Sequence, residues 1–495
     1  MTYIVASLVE RSVSGVSGSS LRAFRQGADL VEVRLDHLAL PKVDERSLSK
    51  VREAVAGPAI ATLRSSREGG RSRLRGPARE RALRAVLAAG FEYVDLETDL
   101  DRRAMGLAAR RARGPLVIAS HHFARPQSEK EVEGALAKAC AAGDFGKVAM
   151  PCGHAGHAIM LASLGLRRSS AGDKFTLIGM GDQGQLTRVC ARQMGSSMVY
   201  CSAGDRAAAP GQLDLASQAA LGREDRFVLG LVGHPVAHSV SKPMQEAALR
   251  AAGLTGVYLN LDVPPEALTR EALETLGRLG FSGLNVTVPH KERVRALCDE
   301  LDPEAQSTGA VNTVVFRAWK MNGKNTDVIG FTKAVEQKMK VTKDTSALLV
   351  GAGGAARAAA IGLRRAGAHV TVAARDRAKG ERLAGEFILD AVTLDSLRRS
   401  DRRFDLIVNC TPVGTKGVGG VAPIPARLFR KGVLYLDMVY NPPVTKAMKA
   451  AASRKARAEN GLEMLVQQGA ASFTWWTRAD PDVGAMRAAA RGALG

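Results

Sequence analysis

Val31-Glu32-Val33-Arg34-Leu35-Asp36 alternates aliphatic and charged residues without a break. In an extended chain successive side chains point to opposite faces, so the three charges share one face and the three aliphatics the other. Taken alone, this is equally a solvated sheet edge. Working outward from it, short β-rich runs recur with helical stretches between them, at residues 3–8, 30–35, 59–64, 93–97, 116–120, 146–150, 175–180 and 198–202. Eight strand-then-helix units predict a (β/α)8 TIM barrel over residues 1–220, with its site at the C-terminal ends of the strands. Thr62-Leu63-Arg64, Asp95-Leu96-Glu97, Ser120-His121-His122 and Lys147 stand at those ends in succession. Polar groups converging from consecutive strands make a pocket rather than a surface.

The charged stretch Gly222-Arg223-Glu224-Asp225-Arg226 precedes a new apolar strand, Phe227-Val228-Leu229-Gly230-Leu231, and sets a boundary near residue 225. Strands and helices alternate again beyond it. Ala347-Leu348-Leu349-Val350 runs into Gly351-Ala352-Gly353-Gly354-Ala355-Ala356 and a helix-like stretch, the shape of a dinucleotide-binding turn. The predicted class is α/β: the barrel, then a two-lobed unit. Its first lobe spans 227–329, a Rossmann-like lobe spans 330–462, and helices within 463–495 return to the first.

A chain of 495 residues with 46% hydrophobic and 24% charged residues is neither disordered, collagenous nor coiled-coil. Its longest stretch without Asp, Glu, Lys or Arg, Val148 to Leu166, carries Pro151, His154 and His157, unlike a membrane span. With no signal-peptide pattern, the expected location is cytoplasmic. Six scattered cysteines without a CxxC pair argue against disulfides and structural zinc. His154-x-x-His157 lacks a third ligand, so no metal is expected. The net charge of +21 comes from dispersed arginines with only 4% aromatics, which points to small anionic substrates rather than nucleic acid.

Lys147 lies within the apolar run Phe145-Gly146-Lys147-Val148-Ala149-Met150. An amine that forms an imine with a ketone must attack in its neutral form, which desolvation beside a cation favours. His121 can then serve as general base and acid, with Glu97 holding its tautomer. A lone histidine is as readily a satisfied core residue. In the second half, Ser239-Val240-Ser241 and Asn285-Val286-Thr287 each place two hydrogen-bonding side chains on one side if extended, and Lys291, Asn312 and Asp327 follow. Separately these are common turn chemistry.

Glu32-x-Arg34-x-Asp36, Thr62-x-Arg64 with Glu68-Gly69-Gly70, Asp95-x-Glu97, Ser120-His121-His122-Phe123, Lys147-Val148-Ala149-Met150, Arg188 and Pro210-Gly211-Gln212 resemble type I 3-dehydroquinate dehydratase across the first half. The resemblance implies a Lys147 imine at the substrate C3 ketone and proton removal from C2 by His121, which keeps the motif register with Phe123. It also implies loss of the C1 hydroxyl as water, with Glu97 orienting the histidine. Arg188 and Gln212 would hold the carboxylate end, and Glu32, Arg34 and Arg64 would line the pocket. His122 stands where the family usually has Asp or Asn, and Ala208 where it commonly has a hydroxyl residue.

Gly233-His234-Pro235 through Ser241, Asn285 through Lys291, Val311-Asn312-Thr313, Asn325-Thr326-Asp327, the Gly351–354 turn, Val408 through Pro412, Asp437 through Pro442 and Gly461 through Ala470 resemble shikimate dehydrogenase. This implies Lys291 and Asp327 as the catalytic pair, with Ser239, Ser241, Asn285, Thr287, Asn312, Tyr440 and Gln468 on the substrate. Gly351, Gly353, Gly354, Ala355, Met438 and Gly461 would hold the cofactor. Arg375 and Lys379 favour the 2′-phosphate of NADP over the ribose of NAD.

Together the two resemblances imply a bifunctional enzyme of aromatic biosynthesis, a monomer or homodimer without nucleic-acid or membrane partners. Its substrates would be 3-dehydroquinate, 3-dehydroshikimate and shikimate. Open alternatives are a catabolic, NAD-linked quinate or shikimate dehydrogenase, a Schiff-base aldolase-like barrel fused to a dehydrogenase, and a non-enzymatic polyanion-binding protein.

Overall fold

A computed structural model describes residues 2–40, 42–109, 114–204, 208–222, 225–399 and 401–494, so Arg223 and Glu224 of the expected boundary lie outside the described residues. The chain divides into two compact units, Met1–Arg226 with Leu261–Phe281, and Phe227–Asn260 with Ser282–Gly495. The segment Leu261–Phe281, expected in the first lobe of the second half, falls in the first of these compact units, while the strands that flank it, Gly256–Asp262 and Phe281–Val286, belong to one sheet with Phe227–Gly233. Its helix Arg270–Arg278 packs on the barrel helix Ala155–Ser170, where Ser163 Oγ donates to Glu271 Oε1 at 3.3 Å.

Eight parallel strands form the barrel: β1 (Tyr3–Leu8), β2 (Leu30–Arg34), β3 (Ala59–Thr62), β4 (Tyr93–Glu97), β5 (Leu116–His122), β6 (Phe145–Pro151), β7 (Phe175–Met180) and β8 (Met198–Ser202). They pair in the order β7-β6-β5-β4-β3-β2-β1-β8. The β7–β8 seam is drawn together by Ser197 N donating to Phe175 O at 2.6 Å and Met198 N to Thr176 Oγ1 at 3.2 Å.

Strand parity sorts the side chains. Val31, Val33, Val94, Leu96, Val117 and Ala119 join the core between strands and helices. Leu30, Ile60, Ile118, Phe145, Ala149 and Tyr200 form a separate apolar floor inside the ring. Two residues along from that floor the same inner face turns polar, at Glu32, Thr62, Asp95, Ser120 and Lys147. β5 runs through His122, two residues past its expected end, and pairs Ser120 with Lys147 and His122 with Ala149.

In the second unit, β9 (Phe227–Gly233), β10 (Gly256–Asp262), β11 (Phe281–Val286), β12 (Glu300–Leu301), β13 (Thr313–Arg317) and β14 (Lys320–Lys324) form a mixed sheet ordered β10-β9-β11-β13-β14-β12. The C-terminal helices Leu462–Thr477 and Val483–Leu494 share a core with β9 through Leu229, Leu231, Val466, Phe473 and Met486. A second, parallel sheet contains β15 (Ser346–Val350), β16 (His369–Ala374), β17 (Asp390–Thr393), β18 (Leu406–Asn409), β19 (Leu434–Asp437) and β20 (Arg457–Asn460). Its order, β17-β16-β15-β18-β19-β20, is the doubly wound arrangement whose crevice opens where the winding reverses, between β15 and β18.

Candidate active sites

A cavity of about 330 Å³ opens in the barrel, lined by Glu32, Arg34, Arg64, Glu68, His122, Lys147, Arg188, Tyr200 and Gln212 among others. Lys147 Nζ donates to Asp95 Oδ2 at 2.9 Å, lies 3.9 Å from Glu32 Oε1 and sits 4.0 Å over the Tyr200 ring. Asp95 also accepts from Arg64 Nη2 at 2.7 Å and Ser120 Oγ at 2.6 Å. Burial alone would raise the Asp95 carboxyl, but Arg64 and Lys147 outweigh it and hold the group far below the usual range. Ser7 and Thr62 hydroxyls donate to the two oxygens of Glu32 at 2.8 and 2.9 Å, and Arg34 forks onto Asp36 at 2.9 and 2.8 Å. Every carboxylate facing the amine is thus held in place before a ligand enters.

His121, expected to face the substrate, is not among the residues that line this cavity. It lies one residue off the parity of Lys147, packs its ring edge against Phe123 at 4.5 Å and sets Nδ1 3.4 Å from Asp99 Oδ2, outside the residues that line the cavity. His122 lines the cavity, with Nδ1 2.9 Å from Glu68 Oε2. Glu97 is not the histidine's partner either. Its Oε1 accepts from Ser65 N at 2.7 Å and Arg64 Nη1 at 3.3 Å, and Arg79 Nη2 lies 3.4 Å from Oε2. Burial, then the cations Arg64 and Lys147, lower His122 well below the ordinary histidine value. Burial pushes the Glu68 carboxyl up to about 8.

Arg188 is almost fully buried, donates from Nη1 to Tyr200 O at 3.0 Å and leaves Nε without a hydrogen-bond partner among the described residues. Burial lowers it to about 10. A buried guanidinium with donors to spare beside a cavity is a seat for an anion. Gln212 Oε1 accepts from Ala208 N at 2.7 Å, so the missing hydroxyl at 208 still leaves a backbone amide that positions Gln212. Asp95 and Glu68 were quoted within sequence motifs but given no role, and Tyr200 was not singled out from the sequence. Asp95 shares the strand face of Glu97, so period two could have found it. Glu68 comes from a loop, where no periodicity points inward.

In the second unit a cavity of about 390 Å³ brings together Ser239, Ser241, Asn285, Thr287, Lys291, Asn312, Asp327, Tyr440 and Gln468, with Ala355, Met438 and Gly461 on its other wall. Lys291 Nζ donates to Asp327 Oδ2 at 2.6 Å, and Asn312 Nδ2 donates to Oδ1 at 2.8 Å. Asn325 Oδ1 accepts from the Asp327 amide at 3.0 Å, where helix Asp327–Glu336 begins. Asn285 Oδ1 accepts from the buried Tyr258 hydroxyl at 2.8 Å. Ser239 and Ser241 hydroxyls lie 3.1 Å apart. Thr313, Thr326 and Ser472 hydrogen-bond behind Asn312 and rigidify it, a network the motifs alone did not single out.

Gly351, Gly353 and Gly354 form the turn after β15 but are not among the residues lining this cavity, and neither are Arg375 and Lys379. Gly351 has φ +112° and lies against Cys410 and Thr411, which suits glycine alone. Arg375 follows β16 directly and is exposed. Asp376 accepts from Lys379 N at 3.1 Å as the N-cap of helix Arg377–Phe387. His154 and His157 stack at 3.8 Å, and among the described residues no group of three or more ligand-type side chains could hold a metal. No described helix is long and apolar enough to cross a membrane.

Residues 4–221 match the family model of type I 3-dehydroquinase. Residues 231–314 match the shikimate dehydrogenase substrate binding domain, 333–418 shikimate/quinate 5-dehydrogenase, and 461–491 the shikimate 5′-dehydrogenase C-terminal domain. A shikimate dehydrogenase (NADP(+)) of Dehalococcoides mccartyi is 41% identical over 258 residues, covering 50% of this chain and 90% of the relative. The shikimate 5-dehydrogenase of Thermus thermophilus, solved with NADP(H) and shikimate, is 40% identical with a TM-score of 0.50 over 54% of this chain and 100% of that one. A quinate dehydrogenase of Corynebacterium glutamicum, solved with NAD, is 32% identical with a TM-score of 0.51 over 54% and 99%. The matched models and relatives agree, and the chain belongs to the shikimate dehydrogenase family, with a type I 3-dehydroquinase domain ahead of that unit.

Proposed function

We propose that this chain performs two consecutive reactions of the shikimate pathway, dehydrating 3-dehydroquinate in the barrel and reducing the resulting 3-dehydroshikimate to shikimate in the second unit. The observation that carries the reading is the placement of Lys147, an amine inside the ring, in a cavity that also holds His122 and the under-paired Arg188. Arg188 and Gln212 bind the substrate carboxylate. Lys147 Nζ attacks the C3 ketone and water leaves, giving a protonated imine that acidifies C2. His122 Nε2 takes the C2 proton, and the electron pair expels the C1 hydroxyl, which leaves as water with the proton returned by the same ring. Hydrolysis of the imine restores the amine. Glu68, 2.9 Å from Nδ1, holds the ring in place.

In the second unit, Lys291 gives a proton to the ketone oxygen as its carbon is reduced, and Asp327 orients the amine across 2.6 Å. The residues present fit NADPH. Added Cβ atoms at Gly353 and Gly354 meet nothing within 4 Å, so the turn offers bare backbone to a pyrophosphate at the start of the 12-residue helix Gly354–Arg365. Asp376 is engaged as a helix cap, which leaves Arg375 as the group for a 2′-phosphate. Bound there, NADPH supplies the hydride.

The deciding assay is dehydroquinate plus NADPH followed at the nicotinamide absorbance. Lys147→Ala abolishes the coupled signal but spares NADPH oxidation with added 3-dehydroshikimate, whereas Lys291→Ala abolishes NADPH oxidation with either substrate but still forms 3-dehydroshikimate from dehydroquinate. Borohydride with dehydroquinate leaves an adduct on Lys147. Absence of that adduct would defeat the imine, and a preference for NAD would favour the catabolic quinate reading.

A further inference from the structure

Tyr258, on β10, is fully buried and is not among the residues that line the second unit's cavity. Its hydroxyl still reaches a residue that does, lying 2.8 Å from Oδ1 of Asn285. An amide has a donating and an accepting end of similar size, and its neighbours decide which end sits where. One end of Asn285 lies 3.4 Å from the Asn312 carbonyl oxygen and 3.1 Å from Ser472 Oγ. A backbone carbonyl only accepts, and Ser472 spends its single proton on Gln468 O at 3.0 Å. Both therefore require a donor, and that end of the amide is the NH2 group. The other end is the carbonyl oxygen, so the proton of the Tyr258 phenol goes to it. Among the described residues no second donor reaches Oδ1.

We infer that Tyr258 is a positioning residue for the dehydrogenase, its phenol setting which end of Asn285 meets the substrate. With the NH2 hydrogens directed at Asn312 and Ser472, Asn285 has the second lone pair of Oδ1 left for a ligand, and it accepts from a substrate hydroxyl. Without the phenol proton Oδ1 loses the donor that holds it, and the amide swings to find another, away from the pose that meets the hydroxyl. The Lys291–Asp327 pair makes no hydrogen bond to Asn285 or Tyr258 among the described residues, so proton delivery to the ketone is left in place. The substrate in this inference rests on the dehydrogenase reading; the orientation of the amide rests on the hydrogen bonds alone.

The test is steady-state reduction of 3-dehydroshikimate by NADPH in the full chain. Tyr258→Phe keeps the ring, whose centroid lies 6.5 Å from that of Trp476, and removes only the hydroxyl. KM for 3-dehydroshikimate is expected to rise about tenfold, with kcat and KM for NADPH within about threefold of native. In an Asn285→Ala background the same change is expected to leave KM where Asn285→Ala alone puts it, because both partners of the bond are then gone. A merely structural tyrosine would move KM for NADPH as well, or act equally in both backgrounds. Ser472→Ala, which releases the amide from its other end, is the second variant and is expected to raise KM for 3-dehydroshikimate too. An unchanged KM in Tyr258→Phe, or a rise of the same size in the Asn285→Ala background, overturns the proposal. Should Tyr258→Phe not fold, an unchanged KM in Ser472→Ala overturns it. A native chain that does not oxidise NADPH with 3-dehydroshikimate would strike the dehydrogenase reading, and the role of Tyr258 with it.

Discussion

Ser120, His121 and His122 are neighbours, yet only the first and third share the face of Lys147, because side chains in a strand alternate and β5 pairs Ser120 with Lys147. His122→Ala is therefore expected to lower dehydratase kcat by about 10²–10⁴-fold, while His121→Ala stays within a few-fold of the native rate. Glu68 makes a second residue-scale prediction. Its folded value of about 8 stands above the ordinary carboxyl value, owing first to burial and then to repulsion from Glu97, Asp95 and Asp99, with Arg64 opposing. The folded chain thus holds this proton more tightly than the unfolded one. The stability it contributes is full at acid pH and is lost as pH rises through about 8. Relative to Glu68→Gln, the native chain should lose Tm as pH climbs from acid to mildly alkaline, and parallel Tm curves would refute this. His122 is held low, so its own contribution runs the other way, rising with pH through the acid range.

At the scale of elements, β19 and β20 end where Met438 and Gly461 meet. A Cβ at Gly461 would lie 2.1 Å from the Met438 carbonyl oxygen, which is backbone and cannot swing aside. Gly461→Ala should cost about 1–3 kcal/mol and sharply reduce dehydrogenase turnover while dehydration persists. Denaturant melts with both assays check this. The turn after β16 carries another expectation. Arg375→Asp should cut the NADP-to-NAD efficiency ratio by about tenfold or more, through loss of a charge-assisted contact to the 2′-phosphate. The strands themselves were legible because β-branched and aliphatic runs alternate with helical stretches. The end of β5 was not, because two consecutive histidines carry no strand propensity and are held by pairing to β6.

On the scale of the whole molecule, two chemistries occupy separate cavities in separate compact units. An equal mixture of Lys147→Ala and Lys291→Ala chains should therefore convert dehydroquinate to shikimate, the intermediate passing through solution. A mixture as dead as either variant would show that both lysines must act within one chain. The excess of 21 positive charges suits anionic substrates at both sites, so raised salt should raise both KM values.

The amino-acid sequence alone determined the α/β class, the eight strands of the barrel and the glycine turn after β15, because each is written in local periodicity or in residue types at close spacing, whereas the polar groups of the second cavity were named through a family resemblance. Only the tertiary structure decided that His122 rather than His121 meets the cavity, and that Glu68 rather than Glu97 partners it. Those choices depend on strand register, on which carboxylates the arginines Arg64 and Arg79 have already taken, and on where a loop comes to rest, none of which is encoded by spacing along the chain.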